Sequence, residues 1–247
     1  MPRRGRRKSG TDIYHVMLRG INRQVIFEDD EDCAKMLQTL SDVKDISKCR
    51  IFAYCLMQNH CHFVVKTESE SLGQIFKRLG ARYVYWYNLK YKRTGHLFQD
   101  RYKSETIEDD KRLLAVLRYV HQNPINAGLT KALDDYMWSS YREYTGKPRL
   151  VDTEYIFKMI SKKDFEEYSI SESSEKAMED EQRANRISDT EAKERILEIS
   201  GSSNLAAYQQ LPPGEQRMHL KKFKESGMSI RQINRMTGIS KGIVERA

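Results

Sequence analysis

The chain has 247 residues, of which 32% are charged and 39% hydrophobic, and a formal net charge of +8. That length holds one large domain or two modest ones, and the positive balance favours a polyanionic partner over a basic or neutral one. No apolar run approaches the roughly 18 residues of a membrane span, and the basic start lacks the apolar stretch of a signal peptide.

Cysteine usage points the same way. The four cysteines (Cys33, Cys49, Cys55, Cys61) contain no Cys-x-x-Cys pair, so a reduced, cytoplasmic protein without a membrane partner is expected. Charge is unevenly spread: Arg3, Arg4, Arg6, Arg7 and Lys8 form a basic arm, while Glu166 to Glu181 is acidic on balance. Such an arm serves either solubility or contact with nucleic acid.

Ile13 to Leu18 reads as a first strand, followed by a turn at Arg19-Gly20-Ile21-Asn22. Asp29 to Ser47 is acidic at its start and carries Met36, Leu37, Leu40 and Val43 at helical spacing, which predicts a helix. Ile51 to Val65 is rich in β-branched and aromatic residues and is interrupted at Gln58-Asn59. It predicts two short strands joined by a tight turn, with His60 opening the second. Ser71 to Tyr91 is an amphipathic helix ended by Thr94-Gly95, and His96 to Ile107 reads as a further extended segment. A helix then runs from Lys111 to about Asn123, stopped by Pro124, and Met137 to Tyr144 closes the unit near Gly146.

This order predicts an α+β fold with helices packed on an antiparallel sheet. Residues 1–148 form that unit. Residues 149–190 read as a charged linker with a docking helix around Tyr155 to Tyr168, and residues 191–247 as a small all-α module.

Alternate residues of a strand share a face, so His60 and His62 project together while Cys61 points the other way as a buried thiol. Two neutral imidazoles make half of a divalent-metal site, although a structural histidine pair is the competing reading. On the predicted helix, Tyr119 and Asn123 lie four apart and share a face. An amide oxygen suits Mg²⁺ or Mn²⁺, and a tyrosine beside such a metal could attack a phosphodiester. Arg101, Arg112 and Arg118 would supply charge for the phosphate. With 14 tyrosines in the chain, a packing role for Tyr119 stands beside the chemical one.

His60-Cys61-His62 and Tyr119-Val120-His121-Gln122-Asn123-Pro124 together resemble the single-tyrosine HUH transposases (IS200-like), in particular the REP-associated tyrosine transposases. Tyr14-His15-Val16, Arg19-Gly20, Met57-Gln58-Asn59, Gly95-His96-Leu97-Phe98-Gln99, Asn126-Ala127-Gly128 and Trp138-Ser139-Ser140-Tyr141 agree with the pattern. The resemblance spans about residues 10 to 146. It implies a ferredoxin/RRM-like HUH fold and an enzyme that cuts and joins single-stranded DNA at hairpins through a 5′-phosphotyrosine. It also implies His60, His62 and Asn123 as ligands of Mg²⁺ or Mn²⁺ and Tyr119 as nucleophile. Many relatives place Gln four residues after the tyrosine, so Gln122 and His121 stay as alternatives to Asn123. Arg3, Arg4, Arg6, Arg7, Arg19, Arg101 and Arg118 are expected DNA contacts. Relatives act as monomers or homodimers, and both remain open here. The alternative reading is a non-catalytic DNA-binding regulator that keeps the transposase scaffold.

The last segment carries its own signal. Ser229 caps a short helix to Met236, Thr237-Gly238 makes a turn, and Ser240 caps a final helix to about Arg246. Ile230, Ile233, Met236, Ile239 and Val244 have helix-turn-helix spacing, although Asn234 stands where a small residue is usual. In that motif Ser240 and Lys241 meet duplex DNA; otherwise the segment is a plain helical hairpin.

Overall fold

Four strands, β1 (Ile13–Arg19), β2 (Arg50–Met57), β3 (His60–Lys66) and β4 (Lys103–Ile107), pair antiparallel in the order β2-β3-β1-β4. They belong to a computed structural model that describes residues 7–21, 24–171 and 189–247. Two compact units divide the chain, residues 1–175 and 176–247. Arg3, Arg4 and Arg6, and the part of the expected linker from 172 to 188, lie outside the described residues.

Capping residues set the helix starts. Asp29 and Asp32 form a reciprocal capping box at the head of α1 (Asp30–Ser47), and Ser71 with Gln74 does the same for α2 (Leu72–Lys90). Each box satisfies backbone N–H groups that the first helical turn leaves without partners. Phe63 of β3 packs on Phe76 of α2 with ring centroids 5.8 Å apart, which places α2 on the odd-numbered face of that strand. The even-numbered face, bearing His60 and His62, meets α3 (Asp110–Asn126).

Pro124 lies inside α3, within its last turn. The expected stop at Pro124 is therefore corrected. Proline removes one amide donor, but close to a C-terminus the loss touches a single i−4 bond, and Ala127 still donates to the Asn123 carbonyl at 3.0 Å. The extended segment expected from His96 is also shorter. Only Lys103–Ile107 joins the sheet, while Phe98 makes an isolated bridge to Gly20. Ile21 N–H donates to the Leu97 carbonyl and Gln99 N–H to the Arg19 carbonyl, so this loop clasps the end of β1 beside the histidines.

The β2 edge is covered by the segment around Trp138-Ser139-Ser140. Leu56 N–H donates to the Trp138 carbonyl and Ser140 N–H to the Tyr54 carbonyl, both at 2.9 Å. An unpaired edge would otherwise recruit other chains. After α4 (Tyr141–Thr145), the charged stretch forms α5 (Thr153–Phe157) and α6 (Lys162–Ile170). Phe165 of α6 is fully buried and stacks on Tyr144 with centroids 4.5 Å apart, so α6 belongs to the sheet unit's packing.

The second unit is all helical: Asp189–Ser200, Leu205–Gln209, Pro213–Glu225, Ile230–Thr237 and Lys241–Arg246. Ile196, Tyr208, Leu220, Phe223, Ile233 and Val244 are buried at its centre. Gly238 adopts the left-handed conformation (φ 77°) that ends the fourth of these helices. Asn234 spans the turn by donating from Nδ2 to the Ile239 carbonyl at 2.8 Å, which gives its side chain a reason to replace a smaller residue. Among the described residues, no helix is long and apolar enough to cross a membrane.

Gly20 follows the strand that faces His60, and a Cβ there would lie 2.2 Å from the Gln24 carbonyl oxygen. Gly20→Ala is expected to destabilise the sheet unit by about 1–3 kcal/mol, since the atoms it meets include backbone that must shift. Urea unfolding measures this, and an unchanged midpoint would contradict it.

Candidate active site

Strand register brings the histidines to one end of the sheet. Arg19 of β1 pairs with His60 of β3, Met17 with His62, and His15 with Glu105 of β4. His60 is 7% exposed, and His62 and His15 are fully buried. His62 Nδ1 lies 2.9 Å from His15 Nε2, and the two rings stack at 5.1 Å. His15 Nδ1 faces Glu105 Oε2 at 3.8 Å, and the Arg112 guanidinium holds the other oxygen of Glu105. His60 Nδ1 lies 2.6 Å from Asn59 Oδ1.

Burial, with His15, His60 and Arg19 nearby, pushes the His62 pKa well below its ordinary value. His62 is therefore a neutral imidazole at neutral pH, the form that can donate a lone pair. Its Nε2 is buried without a hydrogen-bond partner. Such an orphaned buried polar atom costs free energy unless something binds it.

Helix α3 sets Tyr119 over this pair. The Tyr119 ring meets His62 edge-on, centroids 5.7 Å apart at 88°, and His15 at 5.9 Å and 71°. Asn123 lies one turn further along α3, 5% exposed, and its Nδ2 has no hydrogen-bond partner. The other two candidates for a third ligand are engaged elsewhere. His121 is buried against Tyr141, Tyr144 and Phe165, with Nε2 2.9 Å from Ser140 Oγ. Gln122 donates from Nε2 to the Ser169 and Ser171 carbonyls.

The expected DNA-contacting residues separate into two groups. Arg19 is half-buried across from His60, while Arg7, Arg101, Ser240 and Lys241 are exposed. Arg118 is a correction. It is 8% exposed, its guanidinium stacks on Tyr168 at 4.2 Å and donates to Ser171 Oγ, because α6 covers the face of α3 that the sequence left open. Arg112, expected near phosphate, is paired with Glu105. Cys61 is fully buried, and desolvation pushes its thiol pKa well above the ordinary value, so it is an inert core residue.

Among the described residues, no group of three His, Cys, Asp or Glu side chains is arranged to hold a metal ion. His60 and His62 can offer two nitrogen donors, and completing the set needs an oxygen of another type, such as a carboxamide. The orphaned Nε2 of His62 fits that requirement as a nitrogen donor, and Asn123, one turn beyond Tyr119 on α3, carries a carboxamide oxygen that could complete it. His15, Glu105 and Asn59 were not assigned from sequence. The available signal was a histidine at the centre of the apolar strand Ile13 to Leu18, where an imidazole must find a partner.

The family described as "Transposase IS200 like" matches residues 10–123. The solved structure of a REP-associated tyrosine transposase bound to a REP hairpin is similar to this chain at 15% identity and a TM-score of 0.52, covering 60% of this chain and 87% of that one. A crystal structure of a protein from Deinococcus radiodurans R1 aligns at 15% identity and a TM-score of 0.35, over 53% of this chain and all of that one. No curated protein matches the sequence.

Burial lowers the His121 pKa from 6.5 to about 3. Below pH 6.5 the unfolded chain takes up a proton that the folded chain refuses, so stability is lost as pH falls toward about 3. The loss is about 1.4 kcal/mol per pH unit. Between pH 7 and pH 5 the wild type should lose about 2 kcal/mol more than His121→Gln in urea unfolding. Parallel profiles for the two proteins would contradict this.

Proposed function

We propose that the sheet unit, in which residues 10–123 match the family described as "Transposase IS200 like", cuts and rejoins single-stranded, hairpin-bearing DNA with Tyr119 as nucleophile. One observation carries the reading: the Tyr119 ring stands edge-on to His62, 5.7 Å between centroids, above a buried histidine pair.

In the proposed step, Tyr119 Oη attacks a DNA phosphorus and the bond from that phosphorus to the 3′ oxygen breaks. The phenolic proton goes to the departing oxygen. One end becomes a 5′-phosphotyrosine and the other a free 3′ hydroxyl, and attack by a 3′ hydroxyl reverses the reaction. No bond energy is lost to water, which suits cutting followed by joining.

His60, His62 and Asn123 would hold Mg²⁺ or Mn²⁺, which when bound polarises the scissile phosphate and offsets its charge. Arg19 would pair with a phosphate oxygen next to His60, and Arg7 and Arg101 would follow the strand further out. Arg3, Arg4 and Arg6 extend the same basic arm in sequence. The hairpin in the solved relative favours a folded single strand as substrate here. In the second unit, Ser240 and Lys241 open the final helix and would contact duplex DNA as the reading end of a helix-turn-helix.

Incubation with Mg²⁺ or Mn²⁺ and a hairpin-bearing oligonucleotide should give a protein–DNA adduct that survives denaturing electrophoresis. Tyr119→Phe, His60→Ala and chelation by EDTA should each reduce it to background. An adduct that persists in Tyr119→Phe would reassign the nucleophile. Lys241→Ala should weaken duplex binding and lower the slope of log K against log salt by roughly one. An unchanged slope would remove Lys241 from the interface.

A further inference from the structure

His15 takes no part in the reaction outlined above, yet it is the nearest polar contact of His62 and is itself fully buried. We propose that His15, backed by Glu105, is a positioning residue that holds His62 as the Nδ1–H tautomer with its Nε2 lone pair turned into the site. The proposal rests on the reading of His62 as a metal ligand.

The chemistry of the row gives it one direction. Glu105 is held as a carboxylate by Arg112, and a carboxylate only accepts. The nitrogen nearest its free oxygen is His15 Nδ1, at 3.8 Å and outside hydrogen-bond distance, so the carboxylate favours a proton on that nitrogen through its charge. With its proton at Nδ1, the His15 ring presents a lone pair at Nε2. The atom 2.9 Å from that lone pair is His62 Nδ1, which must donate. The remaining His62 nitrogen, Nε2, is left with a lone pair, buried and without a hydrogen-bond partner. His60 is set in the same tautomer by a separate acceptor, because Asn59 Oδ1 at 2.6 Å can only accept from its Nδ1.

Sheet geometry makes the row stiff. His15 pairs with Val64 and directly with Glu105, so His62 is its diagonal neighbour on one face. Stacking at an interplanar angle of 24° limits rotation of either ring. Arg112, which closes the far end, comes from the first turn of the helix that carries Tyr119. Ligand orientation and nucleophile placement thus share one anchor.

The test uses the full-length protein. Long-range ¹H–¹⁵N NMR of the metal-free chain should show His62 protonated at Nδ1, and Mn²⁺ titration by calorimetry should separate two variants. His15→Leu fills the space without an acceptor and should lose roughly 10- to 100-fold in Mn²⁺ affinity. His15→Gln, whose amide oxygen can replace Nε2 as acceptor, should recover most of it, which a purely space-filling role would not do. An Nε2–H tautomer at His62 in the wild type, or wild-type Mn²⁺ affinity in His15→Leu, would overturn the proposal. If the wild type takes up no Mn²⁺, the assignment of His62 as a metal ligand fails, and the His62 tautomer alone decides the role of His15.

Discussion

The pairing register between β1 and β3 is the constraint on which the site depends. It sets Arg19 against His60 and Met17 against His62, and it brings His15 diagonally onto His62. Side chains alternate along a strand, so a slip of one residue would turn both histidines toward Phe76 and expose Cys61 and Phe63 to the tyrosine helix. The apolar character of the odd-numbered positions therefore protects the polar arrangement on the even-numbered ones. Gly20 and the Leu97–Gln99 clasp reinforce the register where β1 ends.

Burial is what would suit these imidazoles to the proposed chemistry. Desolvation keeps His62 neutral, and its Nε2 has no hydrogen-bond partner, the position that the proposed metal would fill. The same physics has a different outcome at His121, also fully desolvated but enclosed by Tyr141, Tyr144 and Phe165. Two histidines from adjacent elements are thus sorted by their neighbours rather than by residue type. Helix α3 performs the sorting: Tyr119 meets the histidine pair, while His121 meets the aromatic core.

Local patterns in the chain carried much of this. Asp29 and Ser71 marked the helix starts because capping chemistry is local, and the alternation in His60-Cys61-His62 placed two imidazoles on one face. The i, i+4 spacing put Tyr119 and Asn123 on a shared face of α3. Non-local features were not readable. Nothing near residue 15 says that it meets residue 62, since only the sheet register joins them. Arg118 looked available for phosphate, but Tyr168 and Ser171, some fifty residues later, enclose it. Pro124 resembles a stop in sequence because the tolerance of a terminal turn for one missing donor depends on where the helix actually ends.

The chemical reading stands on Tyr119 becoming linked to a 5′ phosphate. Mass spectrometry of proteolytic peptides from the protein–DNA adduct tests this most directly. The predicted result is a phosphonucleotide on the peptide containing Tyr119, with a free 3′ hydroxyl on the released strand. A nucleotide on any other residue, or a cleaved strand with a free 5′ phosphate and no modified peptide, would contradict it.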